Sequence, residues 1–294
     1  MFSEDLSFSY GGLLDEILAL GANEVLLVVP LYQVDVRSTR VFLHPRYSPT
    51  PERLEQTVHE ARARGLGVSI LPIVRLVRAG PGEWRGSLQP LDVDLWFRRY
   101  GEVLGPLARL AQRAGAAELY AGSELGSLDG PEHLARWQAL VTRLRTSFRG
   151  RIGYAANWDR WDQVRAHEPA DLLGISAYFP LSRWPAEKAR LVSAQRASGK
   201  PLVFTEVGFL SQSGLGERPW EEAADAPIDL EEQRRAYAAF TALWDGVPEL
   251  SGVWFWNWYG HGGLRSRSYS PRGKPAASVV GAWYRSGRAD AERP

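Results

Sequence analysis

Two glutamates stand where an apolar run turns polar. Glu124 follows Glu118-Leu119-Tyr120-Ala121-Gly122 and Ser123, and Glu206 follows Pro201-Leu202-Val203-Phe204-Thr205. Short, continuous apolar runs of this kind read as buried strands. A carboxylate at such a strand end needs a reason. It is either bonded to arginine or backbone amides, or it performs chemistry. A pair of carboxylates fits glycoside hydrolysis. One acid protonates the leaving oxygen, and the other attacks the anomeric carbon or activates water. Different surroundings can separate the two pKa values and so assign the roles. Other strand ends carry Tyr32 and Gln33, Arg75, Asn157-Trp158-Asp159, Tyr178-Phe179 and Trp256-Asn257-Trp258-Tyr259, with His261 just beyond. Flat ring faces and rigid hydrogen-bonding groups are what a sugar ring needs.

Competing chemistries find less support. Gly174-Ile175-Ser176-Ala177 starts like a nucleophile elbow, but Tyr178 replaces its closing glycine. The absence of cysteine removes thiolate ligands, thiol nucleophiles and disulfides. The five histidines, at 44, 59, 133, 167 and 261, show no paired ligand spacing, so neither a catalytic metal nor a cofactor is expected. A structural calcium on Asp225 and Asp229 has no further support. Gly65-Leu66-Gly67 and Gly214-Leu215-Gly216 do not complete a dinucleotide fingerprint. Lys+Arg 35 against Asp+Glu 34 gives a formal charge of +1, so no nucleic-acid partner is expected. Arg62 and Arg64, like Arg143, Arg145 and Arg149, read as solvated helix faces.

The elements that must position the glutamates alternate strictly. Strands are expected at Glu24–Val29, Gly67–Leu71, Glu118–Gly122, Arg151–Ala155, Leu172–Ser176, Pro201–Thr205 and Ser251–Trp256. Helices are expected at Gly12–Leu20, Pro51–Arg64, Asp92–Arg113, Pro131–Phe148, Asp162–Ala166, Pro185–Ala197, Leu230–Trp244 and Ala276–Tyr284. With a short or degenerate first strand at Leu6–Phe8, this is a single (β/α)8 TIM barrel over residues 1–294. An open doubly wound sheet is the alternative. In a barrel the fourth and seventh strands face each other across the mouth, which brings Glu124 near Glu206. Twelve tryptophans serve either an aromatic core or sugar-stacking surfaces. No apolar run is long enough to span a membrane. Met1–Asp5 lacks the basic and apolar regions of a signal peptide. The compartment stays open: secreted or periplasmic if a signal has been removed, otherwise cytoplasmic. A monomer is expected.

The motifs also resemble a known family. They are Gly21–Val25, Tyr32-Gln33 with Ser38-Thr39, Gly122-Ser123-Glu124-Leu125, Tyr154–Asp159, Asp171–Tyr178, Pro201–Gly208, Gly252–Trp256 and Ser270–Ala276. In this order, over about residues 12 to 284, the set is similar to glycoside hydrolase family 113. That is a β-mannanase family within clan A of the retaining (β/α)8 glycoside hydrolases. The resemblance implies that Glu124 is the acid/base and Glu206 the nucleophile. It implies that Tyr178 lies near the nucleophile, that Trp256 lies beneath the sugar at the cleavage point, and that Asn157 and Trp158 form the rim after the fifth strand. Ser123 stands where much of the clan has asparagine. Leu71-Pro72-Ile73 stands where the family has a Lys-Pro-His-like run. The expected binding set is Tyr32, Gln33, Ser123, Asn157, Trp158, Tyr178, Trp256, Trp258 and His261. The expected activity is retaining, endo-acting hydrolysis of a β-linked polysaccharide or oligosaccharide, with mannan favoured. The alternatives are the same chemistry on another glycan, such as a bacterial exopolysaccharide, or a carbohydrate-binding barrel without turnover.

Overall fold

Three helices in this protein start where a side chain satisfies a backbone group that a helix end leaves unpaired. The computed structural model describes residues 8–221 and 226–291. Its elements run α1 (Gly11–Leu20), β1 (Glu24–Gln33), β2 (Val41–Phe42), α2 (Pro51–Ala63), β3 (Gly67–Leu76), α3 (Val93–Ala114), β4 (Glu118–Ser123), α4 (Leu134–Arg145), β5 (Arg151–Asn157), β6 (Leu173–Ser176), α5 (Trp184–Ser198), β7 (Leu202–Val207), α6 (Leu230–Trp244), β8 (Leu250–Phe255) and α7 (Ala276–Ala291). Thr50 caps α2 by accepting from the Arg53 amide at 3.2 Å, with Pro51 in the first turn. Asp92 and Asp229 cap α3 and α6 in the same way. Gly115 ends α3 in the left-handed conformation, φ 77°, which costs a glycine little.

The chain forms two compact units. Among the described residues, one takes 8–10 and Glu24–Ser176; the other takes Gly11–Asn23 and those from Ala177 onward. In the first unit the strand order is β2-β1-β3-β4-β5-β6. All neighbours are parallel except β2, which pairs antiparallel with the end of β1 through Tyr32↔Phe42. The β1–β3 ladder runs unbroken from Glu24↔Gly67 to Gln33↔Leu76. In the second unit β7 and β8 pair in parallel, from Leu202↔Leu250 to Val207↔Phe255. Parallel strands joined through helices are the β/α architecture that the alternation predicts.

Several expected elements differ. Leu6 and Ser7 of the expected first strand lie outside the described residues, and Phe8 belongs to no strand. The two-residue strand β2 has no counterpart in the sequence reading. Residues 162–166 form turns, not a helix. The Arg165 amide donates to the Asp129 carbonyl at 2.8 Å, which takes it out of any helical ladder. The helix expected over Pro131–Phe148 opens as a 3-10 turn at Pro131–His133 and ends at Arg145. There the Thr146 and Ser147 amides bond three residues back, and the Thr146 hydroxyl takes the Arg143 carbonyl.

Most large aromatics build the cores. In the first unit Trp96 stacks on Tyr100 at 4.7 Å, and Trp137 meets Tyr154 edge-on at 4.9 Å. Each indole N–H has a partner: Gln33 Oε1 for Trp96 and the Leu128 carbonyl for Trp137, both at 2.7 Å. In the second unit Trp184, Phe204, Phe240 and Trp244 pack edge to face at 4.9–6.1 Å. Phe255 turns toward α6 and α7, meeting Tyr237, Phe240 and Trp283 at 5.2, 5.7 and 6.0 Å. Strand alternation therefore gives Trp254 the opposite facing.

A buried polar cluster closes the starts of the first unit's strands. The Ser69 hydroxyl reaches Glu24 at 2.5 Å and Glu118 at 3.1 Å, Tyr120 donates to Glu118 at 3.1 Å, and Arg151 pairs with Glu118 at 2.5 Å. One hydroxyl proton cannot serve both carboxylates. Burial, reinforced by the Glu118 charge, raises the Glu24 pKa above 4.5 despite the Ser69 bond. Its stabilising contribution is therefore complete below the unfolded value and lost as pH rises through the folded one. Glu24→Gln is expected to gain melting temperature relative to wild type as pH is raised across that window. A constant difference between the two melting curves would contradict the raised pKa.

Close packing sets a second test. A Cβ on Gly174 would lie 2.5 Å from the Tyr154 carbonyl and 3.2 Å from the Tyr120 ring. One on Gly252 would meet nothing nearer than 3.6 Å. Gly174→Ala should lower stability by about 1–3 kcal/mol in denaturant titrations. Gly252→Ala should change it by no more than about 0.5 kcal/mol.

Candidate active site

Within the first unit, the last residue of β4 passes directly into Glu124. Glu124 has φ 52°, and among the described residues no other non-glycine has a positive φ. That conformation costs about 1–3 kcal/mol and persists only where the surroundings enforce it. Here the Glu124 amide donates to the Ala155 carbonyl of β5 at 2.8 Å, and the Leu125 amide donates to the Tyr154 hydroxyl at 2.9 Å. The Glu124 side chain is nearly buried, and Arg85 Nη2 donates to its Oε2. Arg85 sits on the 3-10 turn Arg85–Ser87 after β3, its guanidinium 5.3 Å from the Trp84 ring centre.

The rest of this unit's expected set is spread around strand ends. The Ser123 hydroxyl is buried and has no hydrogen-bond partner among the described residues. Asn157 ends β5 and donates to Asp159 Oδ1 at 2.9 Å, and Trp158 beside it is half-buried. Tyr32 packs against His44 and Tyr47, at 5.0 and 6.0 Å between rings. Gln33 is fully buried, and both ends of its amide are engaged. Its oxygen accepts from Trp96, and its nitrogen donates to the Asp35 carbonyl at 2.7 Å. Arg75 is an exposed residue within β3.

Within the second unit, Glu206 lies in β7 and is as buried as Glu124. The Tyr178 hydroxyl donates to its Oε2 at 2.9 Å. Tyr178 leans on Tyr269 at 5.8 Å, and Tyr269 is itself tied to the Pro219 carbonyl at 2.8 Å. Trp256 follows β8, its amide bonded to the Val207 carbonyl at 2.7 Å, and the Trp256–Asn257 peptide is cis. The structure thus joins Tyr178 to Glu206 directly and holds Trp256 to the end of β7.

Trp258 and His261 take a different position. The Trp258 indole donates to Glu16 Oε2 at 3.0 Å, and Arg272 grips the same carboxylate with two contacts of 2.5 Å. The Arg272 hydrogen bond holds the Glu16 carboxyl below its ordinary pKa. Trp258 and the exposed His261 line a cavity of about 590 Å³ with Glu16, Arg272, Ala277 and Arg285. It lies against α1 and α7.

Sequence reasoning missed Arg85, Glu16, Arg272 and Lys274. Lys274 is buried, donates to Ser211 Oγ at 2.9 Å and the Ser268 carbonyl at 2.7 Å, and so ties the chain after β7 to the segment before α7. Burial lowers its pKa to about 8. The available signals were an arginine beside a tryptophan in the loop after β3, and a lone lysine within Ser270–Ala276. No helix among the described residues is long and apolar enough to cross a membrane.

Comparison with known proteins agrees with this architecture. Residues 12–270 match the model of Glycoside Hydrolase Family 113. A family 113 β-mannanase from Alicyclobacillus acidocaldarius is 27% identical and superposes with a TM-score of 0.86, over 94% of this chain and 91% of that one. A family 113 β-1,4-mannanase at 23% identity shares the fold at a TM-score of 0.87, over 94% and 91% of the two chains. A fungal β-1,4-galactanase at 14% identity shares it more loosely, at 0.60 over 92% and 89%. No curated protein sequence matches the chain significantly. With most of its length matched by the family model and its fold shared with family 113 enzymes, the chain belongs to glycoside hydrolase family 113 and is a glycoside hydrolase.

Proposed function

We propose that the chain is a retaining, endo-acting β-mannanase built as a closed (β/α)8 barrel, with Glu206 as nucleophile and Glu124 as acid/base. The observation that carries this reading is the burial of Glu206 in β7 with the Tyr178 hydroxyl donating to one carboxylate oxygen at 2.9 Å. That bond fixes the orientation of the carboxylate that attacks. Family membership and the β-mannanase neighbours support mannan as the substrate.

The reaction runs in two displacements. Glu206 attacks the anomeric carbon while Glu124 gives its proton to the glycosidic oxygen. The C–O bond breaks, and the leaving sugar departs as an alcohol. Glu124, now a carboxylate, takes a proton from water as that water attacks the same carbon. The bond to Glu206 breaks, and the product keeps the β configuration. Trp256 supplies a ring face beneath the sugar at the cleavage point, and the buried Ser123 hydroxyl supplies a hydrogen-bonding group beside Glu124. Geometry of this kind needs about 5–5.5 Å between the two carboxyl groups.

Glu124→Gln and Glu206→Gln should each lower turnover on a soluble mannan by several orders of magnitude, with melting temperatures close to wild type. Wild type should form a covalent adduct with a 2-fluoro-mannoside at Glu206, detected by mass spectrometry of the proteolysed protein. Near wild-type turnover in Glu206→Gln, or an adduct elsewhere, would overturn the assignment. Tyr178→Phe removes one donor to a charged group, which is worth about ten- to a hundredfold. That loss is expected in kcat, with KM little changed. A rise in KM alone would place Tyr178 in substrate binding instead.

A further inference from the structure

The turn that presents Glu124 is held by groups that the proposed reaction does not use. All lie in the first unit. The Leu125 amide donates to the Tyr154 hydroxyl at 2.9 Å, and that hydroxyl donates to Asp129 Oδ2 at 2.9 Å. Arg160 approaches the other oxygen, Asp129 Oδ1, at 3.3 Å. Asp129 and Tyr154 are both fully buried. Trp137 clamps the assembly, with its ring against Tyr154 and its N–H on the Leu128 carbonyl. The Asp129 carbonyl takes the Arg165 amide, which anchors the loop after β5 to the same residue. The chain of contacts therefore runs from the Arg160 ion pair through Asp129 and Tyr154 to the peptide next to Glu124.

We infer that Asp129, Tyr154 and Arg160 form a positioning relay that fixes Glu124 in its left-handed backbone conformation and thereby aims its carboxyl group. The inference rests on the reading of Glu124 as the acid/base. The direction of the protons explains how it works. Tyr154 has one hydroxyl proton, and it goes to the Asp129 carboxylate. Its oxygen lone pairs then face the Leu125 N–H. This polarity uses Asp129 Oδ2 as an acceptor, which the ionised carboxylate offers at both oxygens. A protonated Asp129 can donate toward Tyr154 and weakens the pairing with Arg160. The strained turn then loses the contact that offsets its backbone cost.

Asp129 is placed to titrate in a working range. Burial raises its pKa to about 6, opposed by Arg160 and by the Tyr154 hydrogen bond and reinforced by the Glu132 and Asp159 charges. His167 faces Tyr154 from the far side, 5.9 Å between rings. Tyr154 is itself pushed well above 10 by burial and stays protonated. A raised carboxyl pKa gives stability that is complete below the unfolded value of 3.8 and lost as pH rises through about 6. Arg160 is therefore needed most where the relay is working.

The test compares wild type, Asp129→Asn and Tyr154→Phe for kcat and KM against pH, and wild type and Asp129→Asn for melting temperature against pH. Wild-type kcat is expected to fall as pH drops through about 6. In Asp129→Asn that step disappears, and kcat at neutral pH is about ten- to a hundredfold lower with KM little changed, as for a misplaced catalytic group. Tyr154→Phe should lose kcat similarly. Asp129→Asn should gain melting temperature on wild type between about pH 4 and 6, a readout independent of turnover. Unchanged kcat and an unchanged acid limb in both variants, with Glu124→Gln inactive, would overturn the relay and leave the assigned reaction standing. Full turnover in Glu124→Gln would instead overturn the reaction on which the relay rests. A pH-independent melting difference would show that Asp129 does not titrate there, and would overturn its part in the acid limb of kcat.

Discussion

A carboxylate buried at the end of an apolar strand must be met by a donor, because an unmet buried charge costs more than the fold can tolerate. Much of the site's construction in each unit follows from that constraint. Glu124 is met by Arg85 from the turn after β3. Glu206 is met by the hydroxyl of Tyr178, which Tyr269 and the Pro219 carbonyl keep in place. Asp129 is met by Tyr154 and Arg160, and Glu118 by Arg151, Tyr120 and Ser69. Apart from Tyr120, which shares β4 with Glu118, each donor comes from a different element, so meeting the charge also ties strands and loops together. Arginine suits this work because its fork supplies several donors from a partly exposed stem.

The same constraint separates the catalytic candidates from the structural acids. Glu118 and Glu24 share a hydroxyl at the strand starts. Glu124 and Glu206 stand at the opposite, carboxyl-terminal ends, where β/α enzymes place their chemistry. The aromatics divide in a similar way. Trp96, Trp137, Trp184 and Trp244 are buried core, their rings packed against other aromatics. Trp158, Trp256 and Trp258 remain half-exposed near strand ends. A high tryptophan count alone therefore says little about sugars, whereas tryptophan directly after a strand says more.

Strands β3, β4, β5, β7 and β8 were legible because buried parallel strands write themselves as continuous apolar runs. The helix starts at Pro51 and Leu230 were legible because Thr50 and Asp229 are recognisable caps. The two glutamates followed from strand ends alone. What stayed hidden depends on contacts that sequence distance conceals. Arg85 reaches Glu124 across 39 positions, and Trp258 reaches Glu16 across 242. The expected helix at 162–166 failed because a tertiary bond, Arg165 to Asp129, outweighed local propensity. Gln33 was legible as a strand-end polar residue, yet both ends of its amide are engaged within the protein. Strand periodicity shows where a side chain sits along the chain, not what has already bonded to it.

The claim on which the account turns is that Glu206 attacks the anomeric carbon and water then displaces it from the same carbon. The anomeric form of the first product tests it most directly. Proton NMR during the first minutes of hydrolysis of a short β-1,4-mannooligosaccharide, before mutarotation, resolves the new reducing end. Double displacement through Glu206 predicts that the β-anomer appears first and the α-anomer grows in only as mutarotation proceeds. Initial appearance of the α-anomer would mean a single displacement by water, and would contradict a nucleophilic role for Glu206.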